Sequence, residues 1–433
     1  MLALVLVLAL ALLRSTLAQG AELTLEQFGA TGGNAARDTA AFRAAIAEAK
    51  RTPEADRLSL VPGRTYTLRP DQAYRVAVML DGVRGLDIET MLLSTPRGDP
   101  AVLRLEPANY AGKAIVLFGS GRTAGTSSIA IRRVVLDGSD AQSRGEDTQQ
   151  STLFRATSVR GLELEDVRVQ NIAADGLKLA GSARFGPTLR VRLNRVEAED
   201  CGRGALVLQS MVEDVEIRAL VTRRQRKGAI DVEASIANAP GPRNVRILGS
   251  SLISSPRADG TLPEFGLSLG GEDSDEGAMR DVLVADVEID AGVWVRNAVG
   301  VVFVNVHARS SRYGAIFDER VQLDWYGGSL FGLKGALVSK HHGVVGKVPD
   351  GVRFRGVALD SPAGTTTMRC DSCTRHEFDS VTWGASSSVV LSNELAGQAM
   401  GGFRFAGGAP ASLKVADRDD RPTSPIEAPV VLP

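Results

Sequence analysis

Only three cysteines and four histidines occur in the 433 residues, and aromatic side chains make up 5%. Cys370 and Cys373 form a C-D-S-C pair, and Cys201 stands alone. A structural zinc site takes four ligands. His376 raises the local set to three and no second C-x-x-C exists, so a zinc-built fold is not expected. Neither sign of charge is in excess: 50 Lys and Arg stand against 51 Asp and Glu, for a net charge of −1. That balance gives no reason to expect a nucleic-acid partner. Beyond the first segment, no apolar run is long enough to cross a bilayer.

What is abundant is glycine, at 46 residues, alongside 44% apolar and 23% charged residues. Many glycines with few aromatics suit short strands joined by tight turns, in an otherwise ordinary soluble composition. Leu2 to Leu13 is an unbroken apolar run, too short for a membrane span. With Thr16-Leu17-Ala18 as a small-residue cleavage site, residues 1–18 are expected to be a signal peptide and the protein secreted or periplasmic. In that setting Cys370 and Cys373 are expected to clip a turn as a local disulfide; two loop thiols are the alternative. Residues 22–415 are expected to form one domain, followed by a Pro-rich, loosely ordered tail over 416–433.

The middle of the chain repeats. Leu162-Glu163-Leu164 is followed by Val167-Arg168-Val169, and Leu189-Arg190-Val191 by Val196. Val215-Glu216-Ile217, Val245-Arg246-Ile247, Val282-Leu283-Val284, Val301-Val302-Phe303, Leu323-Asp324-Trp325 and Val352-Arg353-Phe354 continue the series. The intervals are roughly 19 to 37 residues, in the range of solenoid repeats. Alternation with period two means strands with one face in and one face out. A third strand recurs later in each repeat: Leu177-Lys178-Leu179, Leu206-Val207-Leu208, Ile230-Asp231-Val232, Leu267-Ser268-Leu269 and Ile316-Phe317. Three short strands per coil give a triangular prism of parallel sheets. Asn171 and Asn194 sit where their amides would bond turn backbone in neighbouring coils.

Near the N-terminus, Phe28-Gly29-Ala30-Thr31-Gly32-Gly33-Asn34 leads to Asp38-Thr39 and an amphipathic stretch carrying Phe42, Ala45, Ile46 and Ala49. Asp38 or Thr39 is expected to cap that helix, over Thr39 to Ala49. Leu58-Ser59-Leu60-Val61-Pro62-Gly63 and Thr65-Tyr66-Thr67-Leu68 then read as strand, turn, strand. This order, over roughly 40 residues, resembles the opening of the pectate lyase superfamily, including its rhamnogalacturonase- and epimerase-like domains. There, F-G-A-x-G-D-G precedes D-D-T and a V-x-x-P-x-G-x-Y strand; here Asn34 and Ala35 stand at the Asp-Gly ground. The resemblance implies an all-β, right-handed parallel β-helix of three sheets with an N-terminal capping helix. Together with the lack of a hairpin pattern, it favours the parallel solenoid over a sandwich or propeller, which the repeat spacing alone leaves open. Such a helix covers the apolar core and strand edges at the solenoid's end.

Aligning the third strands puts Lys178, Val207, Asp231 and Ser268 outward in one column. Ala180, Gln209, Glu233 and Gly270 form a second, and Ala174, Arg203, Lys227 and Glu264 lie before them. Coils stack at about 4.8 Å, so such columns bring side chains together. The candidate ligand-facing set is therefore Asp175, Lys178, Gln209, Glu233 and Glu264, with Lys227, Arg203 and Asp231 as catalytic candidates. A mixture of acid and base suits an acidic polysaccharide: Arg203 would neutralise a uronate carboxylate and Lys227 would act as base in β-elimination. A glycoside hydrolase with paired carboxylates, such as Asp231 and Glu264, is one alternative; a glycan-binding or envelope scaffold is another. No cofactor is required; calcium at Asp231 and Glu233 is the single metal candidate.

Asp137-Gly138 and Asp175-Gly176 are similar to polygalacturonase strand ends, but that family's Asp-Asp, Gly-His-Gly and Arg-Ile-Lys are missing. Asp419-Asp420 falls in the tail, and His341-His342-Gly343 is the nearest histidine motif. The Asp-Pro-His-Asp of alginate-epimerase β-helices is missing as well. For the first segment the expected outcome is direct: N-terminal sequencing of exported protein should begin near Gln19. An exported chain that retains Met1 would show that the segment is not cleaved.

Overall fold

The computed structural model describes residues 22–51, 56–91, 98–107, 115–121, 125–139, 151–236, 239–254, 265–272, 274, 276–340, 349–393, 402–417 and 430–431. The expected signal segment, most of the expected tail, Glu264, His341 and His342 lie outside the described residues. The chain divides into two compact units, up to Glu197 and from Ala198. Every coil-to-coil strand pairing described below is parallel, and the fold is a right-handed parallel β-helix.

In the first unit, the first sheet stacks Glu22–Thr24, Asp56–Leu60, Arg84–Thr90, Ser127–Arg132, Arg160–Glu165 and Thr188–Asn194. The second stacks Thr65–Leu68, Ala101–Leu105, Val134–Asp137 and Arg168–Ile172. The third stacks Val76–Met79, Val116–Gly119, Thr152–Thr157 and Asp175–Ala180. Inward residues such as Leu86, Ile129, Leu162 and Val191 follow one another in register and are buried.

The capping helix spans Ala35–Ala49, one turn longer than the sequence pattern predicts. Its cap is Asn34, whose side chain accepts from the Arg37 N–H at 3.1 Å, so Asp38 and Thr39 are not caps. Asp38 is instead a buried clamp. Its carboxylate accepts from the backbone N–H groups of Thr31, Gly32 and Thr67 at 3.0 to 3.1 Å. Thr39 Oγ1 accepts from the Arg69 N–H at 2.7 Å. Both residues thereby tie the helix to the first coil, while Phe42 meets the core edge-on at Phe118, 5.6 Å between centroids. Burying this apolar stripe offsets the cost of leaving a coil end open.

In the later coils the corner between first and second sheets turns at a residue with left-handed backbone: Arg133, Asp166 and Arg195 here, and Ala219, Gly249, Asp286 and Gly356 in the second unit. Its N–H donates to the next coil, as from Arg133 to Glu165 O and from Ala219 to Leu248 O, each at 3.0 Å. Asn171 bonds differently from expectation: its amide donates to the Asp137 carboxylate at 3.1 Å, not to turn backbone. Asp137 is thus a structural residue, also paired with Arg104 at 2.9 Å. Gly138 beside it is obligatory, since a Cβ there would lie 2.1 Å from the Asn171 carbonyl oxygen.

The second unit repeats the three-sheet plan, but Val293–Ser310 and Tyr313–Gly332 run unbroken through their corners. Positive φ at Asn297, Gly300, Asn305, Gly327 and Gly328 turns the chain without ending the ladder, which is why separate short strands merge. Inside its first sheet, Phe303, Trp325, Phe354, Phe378 and Phe405 follow coil by coil, with successive ring centroids 4.5 to 5.9 Å apart. Cys370 and Cys373 are joined by a disulfide; Cys201 is buried and takes no part in it. Truncating the middle of the aromatic ladder, Phe354→Ala, should lower the stability of the second unit by about 3–5 kcal/mol, measured by urea unfolding. A loss below about 1 kcal/mol would mean that the rings do not hold the coils together.

Candidate functional site

In the second unit, the third sheet stacks Gly204–Leu208, Gly228–Glu233, Leu267–Gly270 and the start of Val293–Ser310. Inward Leu206, Ile230, Leu267 and Val293 fix the register. The same register lines up Val207, Asp231, Ser268 and Trp294 on the opposite face. This column agrees with the sequence alignment, with one difference: Val207 is fully buried and Ser268 nearly so, while Asp231 and Trp294 are half-buried.

Five of the candidates come together here. The Arg203 Nη2 atom lies 3.9 Å from Asp231 Oδ2 and 3.8 Å from Glu233 Oε1. Two oxygens that share one nitrogen at those distances are less than about 8 Å apart. Gln209 Nε2 donates to Glu233 Oε1 at 2.7 Å, so Glu233 is held from two sides. Lys227 is exposed; its backbone N–H reaches the Arg203 carbonyl at 3.2 Å, and its charge is felt at Asp231. Burial, and then the Glu233 charge, push Asp231 above the ordinary aspartate range; a Ser268 hydrogen bond, Arg203 and Lys227 oppose them. A carboxyl group shifted toward its protonated form beside a second carboxyl group is the arrangement from which an acid–base pair is built.

The remaining candidates divide. Asp175 and Lys178 belong to the first unit and are buried, at 0% and 6% exposure. Lys178 stands beside Arg155 in register, and the Asp175 carboxylate opposes the burial that draws the Arg155 guanidinium below its ordinary value. With no surface to offer a ligand, they are corrected to interior charges of that unit. Glu264 lies outside the described residues. A calcium ion bridging Asp231 and Glu233 does not fit, because the Arg203 guanidinium already stands within 4 Å of both carboxylates.

Sequence alignment stopped at Ser268 and missed the next member of the column. Trp294 stacks on Phe265, centroids 5.5 Å apart at 30°, a flat apolar surface two coils from Asp231. The Val293-Trp294-Val295 alternation was the available signal. Arg296, in register with Gly270, pairs with Glu319 at 2.9 Å. A cleft of about 470 Å³ lies elsewhere, on the first sheet, lined by Asp324, Arg353, Arg375 and Glu377 among others. Its charges are already paired, Arg353 with Asp324 and Glu377 and Arg375 with Asp350.

No protein-family model matches the chain, and no curated protein matches it. Solved structures do. The A-module of a mannuronan C-5 epimerase from Azotobacter vinelandii is 15% identical, with a TM-score of 0.52 over 94% of this chain and 100% of that one. The N-terminal fragment of bacteriophage Phi29 gene product 12 gives 13%, 0.52, 92% and 73%. The tailspike of Escherichia coli bacteriophage HK620, solved in complex with a pentasaccharide, gives 10%, 0.50, 91% and 78%. At these identities the likeness is one of fold: the β-helix is shared, the side chains are not.

Of the histidines, His307 bonds Ser329 and Asn305 on the second sheet, away from Asp231. His376 is fully buried, and burial lowers it to about 4. A histidine held neutral in the fold stabilises it above the unfolded value near 6.5 and loses that contribution as pH falls toward 4. Stability should therefore drop between pH 6.5 and 4 by on the order of 3 kcal/mol from this group. The check is denaturant midpoints of wild type and His376→Gln across that range; parallel curves would remove His376 as the cause.

Proposed function

We propose that this protein acts on a polysaccharide, cleaving its glycosidic bonds with Asp231 and Glu233. The observation that carries the reading is the position of Asp231, raised by burial and by Glu233 while both carboxyl groups share Arg203. Glycoside hydrolysis needs one protonated and one ionised carboxyl on either side of the bond. In this assignment Asp231 gives its proton to the leaving oxygen. Glu233, held by Gln209 and Arg203, attacks the anomeric carbon or takes a proton from water. The limit of about 8 Å between them admits either course. The pentasaccharide on a tailspike of the same fold supports a sugar ligand, and the missing Asp-Pro-His-Asp speaks against the epimerase chemistry of the other neighbour. Export, expected from Leu2 to Leu13, would deliver the protein to where such polymers occur.

One observation favours β-elimination instead. Lys227 is an exposed cation whose charge reaches Asp231, and an acidic sugar would bring its carboxylate to that edge. In that reading Lys227 is the base, Arg203 neutralises the uronate and Asp231 supports them. A panel of neutral and uronate polymers separates the two, assayed both for reducing ends and for the ultraviolet absorbance of unsaturated product. Hydrolysis predicts reducing ends without absorbance, and a loss of about 100-fold or more in kcat for Asp231→Asn and for Glu233→Gln. The rate should persist above the ordinary aspartate range and fall as Asp231 deprotonates. Unsaturated product that disappears with Lys227→Ala would establish elimination, and binding without any product would leave a glycan-binding protein.

A further inference from the structure

Deep in the second unit, polar groups occupy interior positions that the neighbouring coils fill with Leu and Val. Ser339 and Cys370 are partners in register, Cys370 and Leu391 the next pair, and Cys373 and His376 follow on the turn. Ser339, Cys370, Cys373 and His376 are all fully buried. The sulfurs of Cys370 and Cys373 and a ring nitrogen of His376 lie within 4.8 Å of one another. The disulfide accounts for two of these groups and leaves the histidine unexplained. Nδ1 of His376 is 2.9 Å from the Thr374 carbonyl oxygen, which can only accept, so Nδ1 carries the hydrogen. Nε2 then holds the lone pair, 3.1 Å from the Ser339 hydroxyl. An imidazole fixed through Nδ1–H by a carbonyl, with a ring nitrogen within 4.8 Å of two sulfurs, has the second-shell support of a metal ligand; to bind an ion, Nε2 would give up its contact with the Ser339 hydroxyl. Phe403 packs on its ring, centroids 5.7 Å apart, and holds that orientation.

We propose that the dithiol form of C-D-S-C-T-R-H is a closed binding site for monovalent copper, formed by Cys370, Cys373 and His376. Three donors, two of them soft thiolates, suit that ion, whereas structural zinc takes a fourth donor from thiolate or imidazole and none stands here among the described residues. The disulfide and the metal exclude each other. Opening the S–S bond takes two electrons and two protons; a phosphine and water supply them, leaving phosphine oxide and two thiols. Binding the ion then releases the thiol protons.

The test uses the full chain, purified anaerobically in a phosphine reductant, given one equivalent of cuprous ion and desalted. Copper is counted by mass spectrometry, and the thiolate-to-copper charge-transfer band is read in the ultraviolet. Reduced wild type should retain about one copper per chain, as should Cys201→Ser. Air-oxidised wild type and Cys370→Ser/Cys373→Ser should retain none. His376→Gln should lose copper to a competing chelator at least tenfold more readily while both thiols remain titratable. Should the double variant not fold, judged by circular dichroism, the oxidised and reduced wild types make the same comparison. Equal copper in the two oxidation states, or no copper in the reduced protein, overturns the proposal; so does His376→Gln binding as tightly as wild type.

Discussion

From Arg133 onward, coils turn from the first sheet to the second at a residue in the left-handed region, and the N–H of that residue commonly donates to the coil that follows. The bond recurs from Arg133 to Glu165, Asp166 to Asn194, Gly249 to Ala285, Gly356 to Asp379 and Ser380 to Ala406. A left-handed residue other than glycine costs on the order of 1–2 kcal/mol. Side chains offset this locally: Arg195 clasps Asp166 and Glu165 of the preceding coil, and Arg133 pairs with Glu89. Where this corner and its bond recur, the strands on both sides keep one register from coil to coil. The alignment of side chains into columns is a product of that rule.

The candidate site depends on it directly. Asp231 meets Ser268 and approaches Glu233 and Arg203 because Ile230 and Leu267 stack inside with no slip. A shift of one residue would send Asp231 inward and Val232 outward. The unusual state of Asp231 is then a consequence of neighbours supplied by three different coils, Gly204–Leu208, Gly228–Glu233 and Leu267–Gly270.

Much of this was legible in the sequence, because period-two alternation is a local signal and the inward residues obey it. Leu162-Glu163-Leu164 and Val245-Arg246-Ile247 fell where expected, and the columns through Asp231 and Glu233 were readable by counting. What failed was whatever depends on a third dimension. Asp38 looked like a cap because caps and buried clamps use the same carboxylate; only the Thr31, Gly32 and Thr67 N–H groups converging on it distinguish them. Lys178 and Val207 alternate outward, yet are buried, since alternation reports which face of a strand is used and not what covers that face. Trp294 fits the same pattern, with Gly292 ahead of the Val293-Trp294-Val295 alternation, but aligned columns that end at Leu267-Ser268-Leu269 leave it out.

The aromatic ladder of the second unit gives the chain an optical division of labour. Trp325 is a rung of the ladder, and Trp383 leans against Phe378 and Phe405 at its end. Trp294 stands apart on the third sheet, against Phe265 and in line with Asp231. Trp325 therefore emits from the interior, Trp383 from the half-buried end of the ladder and Trp294 from the face that carries the paired carboxyl groups. Intrinsic fluorescence of a single-tryptophan form retaining Trp294 would follow events at that face, while the other two would register only the loosening of the coils themselves.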